Sequence, residues 1–451
     1  MIFGEPVVPT LEQMSFVVIA IRISNDPEVE SLMKKYGPLS FAFPDKELRT
    51  FLNKKIPESN HQMMYKGRIS EIKHIFNSSW PMPLCNRDYA ILSPYSNFNI
   101  NGFTTSDLPS KLWEEIVSKK ISCLPLPNII KSQLMSIIRC ICLEIDRWKK
   151  DHRDNFELDF LNLQNYICWT SQGKIDRVRT AKSLINDENL PISKRFNLAR
   201  HYCFVEDVIS LLKKMNKVDK SDSLRLGARP WFGYRTNRNN KNSFHIRQNV
   251  YGINPLNLNA FFSLLVSTHK VRWCNSLINL KLIEYEDLRL HLSLFKKNEQ
   301  ENTLRQYSSK ILQYYLVWPL QNEFLIVSKN IWPYMSIENY IDILHFIIYQ
   351  RIMIGWKDVD YVGLLKEFWS QTPNNFKELV KKEKIYQVLL PVIRCELFKR
   401  FPNEVILENY TDDVLHFHHI GIHYEIKRLE IMDPVESPQF QNNGIVRFSK
   451  D

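Results

Sequence analysis

Apolar residues recur at helical spacing along most of the chain, most clearly between Arg195 and Met215. There they form two groups on either side of a short break at Cys203-Phe204. The first group is Leu198, Ala199, Tyr202 and Cys203, and the second is Val205, Val208, Leu211 and Leu212. Residues three and four apart share one face of a helix. The pattern therefore predicts two short antiparallel helices joined by a tight turn, the unit from which helical repeat arrays are stacked.

The same periodicity predicts helices along most of the remaining sequence. Before the insertion at 217–254 we expect them at 10–22, 26–36, 44–53, 108–120, 127–151, 156–169, 173–186, 192–203 and 205–215. After it we expect them at 260–268, 271–283, 285–295, 303–317, 321–332, 337–353, 359–370 and 386–401. Residues 420–426 alternate apolar and polar, which predicts a short strand. Helices of this length with brief turns are typical of a helical array.

Breaks in the pattern divide the 451 residues into five segments. They are an N-terminal helical and loop region at 1–125, a helical repeat region at 126–216, a basic aromatic loop insertion at 217–254, a second helical repeat region at 255–401 and a C-terminal extension at 402–451. Turn residues at 78–105 predict an irregular connection, and the end of the chain after Pro434 is expected to be a loose tail. A chain of this length exceeds one compact core, so several lobes or an elongated array are expected.

Composition supports a mostly α fold. The chain has only 12 glycines, whereas hairpin-rich sheets and nucleotide-binding α/β folds use glycine at their turns. A hydrophobic fraction of 44% and a charged fraction of 24% indicate an ordinary folded protein rather than a disordered one. The fold class that we predict is a helical-hairpin repeat array, or α-solenoid, although a non-repetitive helical bundle would show the same periodicity.

Cysteine usage and the apolar runs indicate a cellular location. The 8 cysteines include no CxxC pair and mostly lie inside apolar helical runs, which predicts buried thiols in a reducing compartment. No basic leader followed by an apolar run is visible at the N-terminus, and no apolar run approaches the about 18 residues that span a membrane. We expect an intracellular, cytoplasmic protein without a transmembrane segment.

One stretch carries a resemblance to a known family. Ile175 and Val205 are separated by 30 residues, and so are Val178 and Val208. With Leu198-Ala199 before the break and Leu211-Leu212 after it, the unit resembles a degenerate ankyrin repeat. Cys203-Phe204 stands where that family has Gly-His, and its Thr-Pro-Leu-His opening is missing. The whole chain also resembles a group of uncharacterised helical proteins expanded in arachnids. Stacked helical hairpins bury a continuous core and leave one long face free, which predicts a scaffold that binds another protein along an extended surface.

The insertion offers an alternative function, binding of single-stranded nucleic acid. The net charge of +11 permits contact with an anionic partner. Basic side chains that follow phosphates and rings that stack on bases are the components of such a site. The residues that we single out, for nucleic-acid or partner binding, are Arg225, Arg229, Trp231, Phe232, Tyr234, Arg235, Arg238, Lys241 and Arg247. The competing interpretation is an insertion whose rings pack on the array while its arginines stay in water.

A histidine cluster offers a third function, a metal-dependent activity. The candidate ligands are His416, His418, His419 and His423. On a helix, His419 and His423 would share a face, whereas on a strand His416 and His418 would share one. The two geometries exclude each other, and the downstream alternation favours the strand.

No GxxxxGK[ST], GxGxxG, HExxH or GxSxG motif occurs in the chain. Cys203 beside His201 suggests a thiol nucleophile, but a buried cysteine filling a turn is the more ordinary interpretation. Glu206-Asp207 is expected to begin a helix rather than to form a catalytic pair. The prediction is therefore a non-enzymatic scaffold that binds another protein and carries no cofactor.

Overall fold

Helices form most of the backbone in the computed structural model, which confirms the predicted mostly α class. The structure describes residues 8–53, 108–156, 163–219, 232–236, 242–246, 256–263, 267–279, 283–396, 401–410, 414–419 and 422–427. The predicted irregular connection at 78–105 and the predicted tail after Pro434 lie outside these ranges. None of the helices within them combines the length and the unbroken apolar character that a lipid bilayer requires of a spanning segment.

Five helices lie in the described residues of the N-terminal part: α1 (Leu11–Ser24), α2 (Pro27–Tyr36), α3 (Asp45–Asn53), α4 (Pro109–Ser122) and α5 (Asn128–Phe156). Their starts follow local chemistry. The Asp26 carboxylate accepts a hydrogen bond from the backbone of Glu28, and Pro27 occupies the first helical position, where its missing N–H is harmless. Helix α1 packs along α5, and α2 packs along α4.

Three short helices follow: α6 (Arg177–Asn186), α7 (Ile192–His201) and α8 (Val205–Lys214). Helix α7 packs against α6, α8 and α5, which confirms the predicted pair of short helices joined by a tight turn. The turn is a Schellman motif, because the backbone N–H of Phe204 donates to Ala199 O at 2.9 Å and that of Cys203 donates to Arg200 O at 3.2 Å. Cys203 occupies the left-handed position of this motif, with φ 56°, where glycine is usual.

The predicted helix at 156–169 is wrong over 163–169, the part that the structure describes after Phe156. Helix α5 continues to Phe156, a short 3-10 turn covers Leu163–Asn165, and Trp169 then pairs with Ile175 in an isolated antiparallel bridge. Gly173 turns the chain in the left-handed region, with φ 74°. A Cβ at this position would come within 3.0 Å of Ile141 on α5, so the turn can lie close to α5 only because the residue is glycine.

The second helical region runs from Leu258 to Arg394. Its helices are α9 (Leu258–Ser263), α10 (Ser267–Asn279), α11 (Tyr285–Ser293), α12 (Lys297–Tyr314), α13 (Phe324–Ile331), α14 (Ile337–Ile347), α15 (Tyr361–Gln371), α16 (Asn374–Val380) and α17 (Ile385–Arg394). A π-helical segment, Ile348–Ile352, continues α14. Helix α12 packs on α10 and α14, and α15 packs on α13 and α17, so helices two places apart lie side by side.

The C-terminal extension contains a short helix, α18 (Glu404–Glu408), and an antiparallel hairpin. The hairpin strands are β3 (Val414–His419) and β4 (Ile422–Lys427), which confirms the predicted strand and adds a partner that the pattern did not predict. Helix α18 packs on α3, and β3 packs on the π-helical segment. The C-terminal hairpin is therefore part of the folded body.

The insertion at 217–254 was predicted to be a loop, and this is wrong for the residues that the structure describes there. Strands β1 (Phe232–Thr236) and β2 (Asn242–Ile246) form a second antiparallel hairpin. Tyr234 lies opposite Phe244 in its register, and Arg235 lies opposite Ser243. Aromatic residues favour strands, and this preference was outweighed in the prediction by the polar residues between the two strands.

The buried apolar side chains form two clusters. The larger core contains residues from α1 to β4, including Leu134 of α5, Leu288 of α11 and Phe417 of β3. The smaller core contains Trp148 of α5 and residues of α6, α7 and α8, such as Leu184. Because α5 contributes to both, it is the element on which the two cores meet.

Candidate functional site

The predicted binding residues of the insertion fall only partly within the described structure. Phe232, Tyr234 and Arg235 lie on the first strand of its hairpin. The remaining residues lie outside the described ranges: Arg225, Arg229, Trp231, Arg238, Lys241 and Arg247. The single-strand-binding interpretation therefore stays a prediction.

The histidines lie on the C-terminal hairpin, and the helical alternative is wrong because His419 and His423 belong to two different strands. By strand alternation His416 and His418 share one face of β3, and His418 lies opposite His423 in the register. The side chains of His416, His418 and His419 are all buried. Among the residues described, no three His, Cys, Asp or Glu side chains come together in a metal-binding group.

His419 is packed as a neutral ring. It stacks on Trp356 with ring centroids 6.3 Å apart, and its Nε2 has no hydrogen-bond partner among the described residues. Burial, together with the nearby positive charges of Lys174, Arg351 and Arg147, holds the pKa of His419 well below its usual range. These surroundings favour a structural histidine at this position.

Cys203 is buried in the turn after α7, as the ordinary interpretation predicted. Burial raises the pKa of its thiol, the reverse of what a thiolate nucleophile requires. Burial also lowers the pKa of His201 to about 4, with a further contribution from Arg200. Glu206 and Asp207 lie in the first turn of α8, where Asp207 forms an ion pair with Lys182. This arrangement supports a structural turn rather than a catalytic pair.

The π-helical segment organises a polar junction inside the larger core. The backbone N–H of His418 donates to Gln350 Oε1 at 2.8 Å, and the buried Arg351 donates from Nε to Leu316 O at 3.0 Å. The Arg351 guanidinium also lies over the rings of Phe346 and Phe417, at 4.6 and 5.5 Å from their centroids. Through these contacts the segment fixes the position of β3. π-Helical turns inside α-helices are frequent at functional sites.

A pocket of about 90 Å³ opens beside the same segment. Buried Tyr349, Phe401 and Ile406 supply ring and aliphatic surface, and the exposed amides of Gln387 and Asn409 supply hydrogen-bonding groups. The full lining is Tyr349, Gln387, Val388, Pro391, Phe401, Val405, Ile406 and Asn409. A mostly apolar concavity with a few polar groups is the usual form of a binding site.

The pocket residues were not singled out in the sequence. They come from three separate elements, the π-helical segment, α17 and the α18 region, which the fold brings together across about 60 residues of chain. Each residue taken alone belongs to an unremarkable helical pattern. The sequence offered only Pro391, a proline inside a helix, as a sign of an irregular surface there.

Comparisons with known proteins give no match: no family model, no curated protein and no solved structure is similar enough to assign the chain a relative. The ankyrin resemblance thus rests on the residues quoted for it above.

Proposed function

We propose that this protein is a non-enzymatic scaffold that binds another protein, built from stacked helical repeats of about 30 residues. The proposal combines the helical periodicity of the sequence with two features of the structure. One is the spacing of hydrogen bonds between helices, and the other is the pocket beside the π-helical segment.

Hydrogen bonds with regular spacing carry the proposal. Between α10 and the end of α17, many side chains bond to a residue 28 to 32 positions away. The pairs are Thr303–Asn275, Tyr285–Tyr315, Ser309–Asn339, Lys310–Asn279, Tyr314–Ile283, Tyr340–Thr372 and Lys366–Cys395. In a repeat array each unit contacts its neighbours, so hydrogen bonds between residues one repeat length apart in sequence are expected. A bundle without repeats gives no reason for these spacings to cluster near 30, and other hydrogen bonds of the region span 35, 37 and 45 positions.

The pocket supplies an anchor point for a partner. Binding energy at protein interfaces concentrates in a few apolar or aromatic side chains that fill pockets. Val405, which is 43% exposed, stands at this pocket, and the exposed side chains of Gln387 and Asn409 also line it. The geometry suits one aliphatic or aromatic side chain of a partner protein.

The test is affinity purification of the full chain from native cells, with proteins and RNA both identified. Val405→Arg puts a charge into the pocket, and Leu379→Arg is a matched control on α16, where the side chain is 45% exposed and does not line the pocket. We expect one set of proteins to be captured by the wild type and by Leu379→Arg, and at least tenfold less of it by Val405→Arg, about 1.4 kcal/mol of binding energy.

Other outcomes would argue against the proposal. Equal capture of partner proteins by the two variants would show that the pocket is not part of the interface. Failure to capture any specific protein would refute the scaffold proposal. Salt-sensitive recovery of RNA that is lost in Arg235→Ala would instead favour the nucleic-acid alternative.

A further inference from the structure

Helix α1 is apolar on the side that faces solvent as well as on the side that is buried. One side of the helix packs along α5. The buried residues are Phe16, Val17, Ala20, Ile23 and Ser24. On the opposite side Leu11 is 77% exposed and Val18 is 66% exposed. A helix that is apolar all round is normally covered on every side, so the outer face of α1 has the composition of an interface.

The charges of α1 lie at its two ends. Of its 14 residues, the charged ones are Glu12 in the first turn and Arg22 in the last turn, and both are exposed. They are ten positions apart, which is about 15 Å along the helix axis. Exposed Ser15 and Val18 lie between them. The outer face is thus a weakly polar stripe with one negative end and one positive end.

Such a stripe is complementary to a second copy of itself. If two α1 helices pack antiparallel about a two-fold axis, Glu12 of each copy meets Arg22 of the other, whereas parallel packing brings like charges together. The midpoint between Glu12 and Arg22 is position 17. Val18 therefore lies one residue from the two-fold axis, and the Val18 side chains of the two copies come together at the centre of the contact.

A lipid surface fits this face less well. Helices that lie on membranes are rich in Lys and Arg beside their apolar face. Helix α1 has a single arginine, and its Glu12 would meet anionic headgroups. The opposite charges at the two ends favour a second copy of the same chain instead.

We propose that this protein forms a homodimer in which the outer faces of two α1 helices pack antiparallel. Leu11 and Val18 supply the apolar contact, and two symmetric Glu12–Arg22 ion pairs set the direction of the helices. The proposal does not depend on the scaffold function, because none of the pocket residues takes part in it.

The first test is the mass of the full chain in solution, measured by sedimentation equilibrium. We expect the wild type to have the mass of two chains and Val18→Arg to have the mass of one. Ile326→Arg is the matched control, because Ile326 is a similarly exposed aliphatic residue, 58% exposed, on α13. That variant should stay dimeric. Val18 is exposed, so its replacement should leave the circular dichroism spectrum unchanged.

The second test is disulfide cross-linking, which reports the direction of the helices. It uses Cys123→Ser as the parent chain, because Cys123 is exposed. In the antiparallel dimer the two copies of Val18 are about 3 Å apart along the axis, and the two copies of Leu11 are about 18 Å apart. Under mild oxidation Val18→Cys should therefore form linked dimers above the level of the parent, and Leu11→Cys should not.

Charge reversal tests the ion pairs. Glu12→Arg and Arg22→Glu should each raise the dimer dissociation constant about tenfold, since each loses two exposed pairs and creates like-charge contacts. The double variant should return to the wild-type value. A monomeric wild type, or a dimer that survives Val18→Arg, would overturn the proposal, and so would equal cross-linking of Leu11→Cys and Val18→Cys. Binding of the monomer to anionic vesicles, lost in Val18→Arg, would assign the face to a membrane instead.

Discussion

The left-handed backbone of Cys203 gives a prediction whose sign is unusual. Replacing a residue by glycine inside a helix normally weakens the fold relative to alanine by about 1 kcal/mol. At Cys203, with φ 56°, we expect the opposite order. Cys203→Gly should be more stable than Cys203→Ala, because only glycine adopts this conformation without a clash of its Cβ.

The magnitude follows from two opposing terms. A left-handed conformation costs an alanine roughly 1–2 kcal/mol. Glycine in turn costs about 0.4–1 kcal/mol of stability relative to alanine, because its backbone loses more conformational freedom when the chain folds. Both variants lose the buried thiol, so that contribution cancels between them. The net preference for glycine is about 1 kcal/mol.

The assay is hydrogen exchange of α7 and α8, where 1 kcal/mol corresponds to about a fivefold change in protection. Ser210 is the matched control, because it is exposed in the middle of α8. Ser210→Ala should be more protected than Ser210→Gly by about the same factor. If alanine is favoured at both positions, the Schellman turn with a left-handed Cys203 is wrong. If glycine is favoured at Cys203 and alanine at Ser210, the turn geometry holds.

Two further predictions test the packing of the larger core. Gly355→Ala should destabilise the protein by roughly 2 kcal/mol or more in denaturant unfolding, because Gly355 has φ 81° and a Cβ there would lie 2.5 Å from Glu47 Cδ. Gly363→Ala, at a helical position of α15 without a left-handed φ, should cost less, and equal losses would contradict the argument. His419→Phe should reduce the loss of stability on acidification by roughly 1–2 kcal/mol between pH 7.5 and pH 5. The reason is that the folded His419 resists protonation while the unfolded one accepts a proton below about pH 6.5, so stability falls with falling pH. An unchanged pH dependence of the unfolding midpoint would contradict the buried neutral ring.

Helices were the predictable part of this fold, since their information is local. The capped start at Asp26-Pro27 and the paired helices around Cys203 could be inferred from residues a few positions apart. The wrong predictions lie where contacts between residues far apart in sequence determine the local structure. An apolar run at 156–169 was predicted to be helical, but Gly173 turns the chain closely against α5, and Trp169 pairs with Ile175 in an isolated bridge instead.

The candidate sites were less predictable than the helices. His416 to His423 could be recognised as a cluster, but not as a strand pair whose β3 histidines are buried. The pocket depends on α18, a helix of five residues that is too short to produce a periodic signal. The partly buried ion pair of Arg147 and Glu284 joins residues that are 137 positions apart and indistinguishable in sequence from surface charges. Charge alone does not indicate burial, so the chain had to be folded before these groups could be recognised.

Under the proposed repeat architecture, the spacing of hydrogen bonds between helices accounts for a weak repeat signal in the sequence. Thr303–Asn275, Lys310–Asn279 and Tyr340–Thr372 all join residues about 30 apart, yet each pair uses a different chemistry. A buried polar group needs a partner, but many residue types can supply one. If selection acts on satisfied hydrogen bonds at fixed geometry, the period is kept while the residue identities drift. Comparison of residue identities would then find only the best-preserved match, Ile175 to Val205, whereas helices two places apart still pack side by side in the described part of the second region.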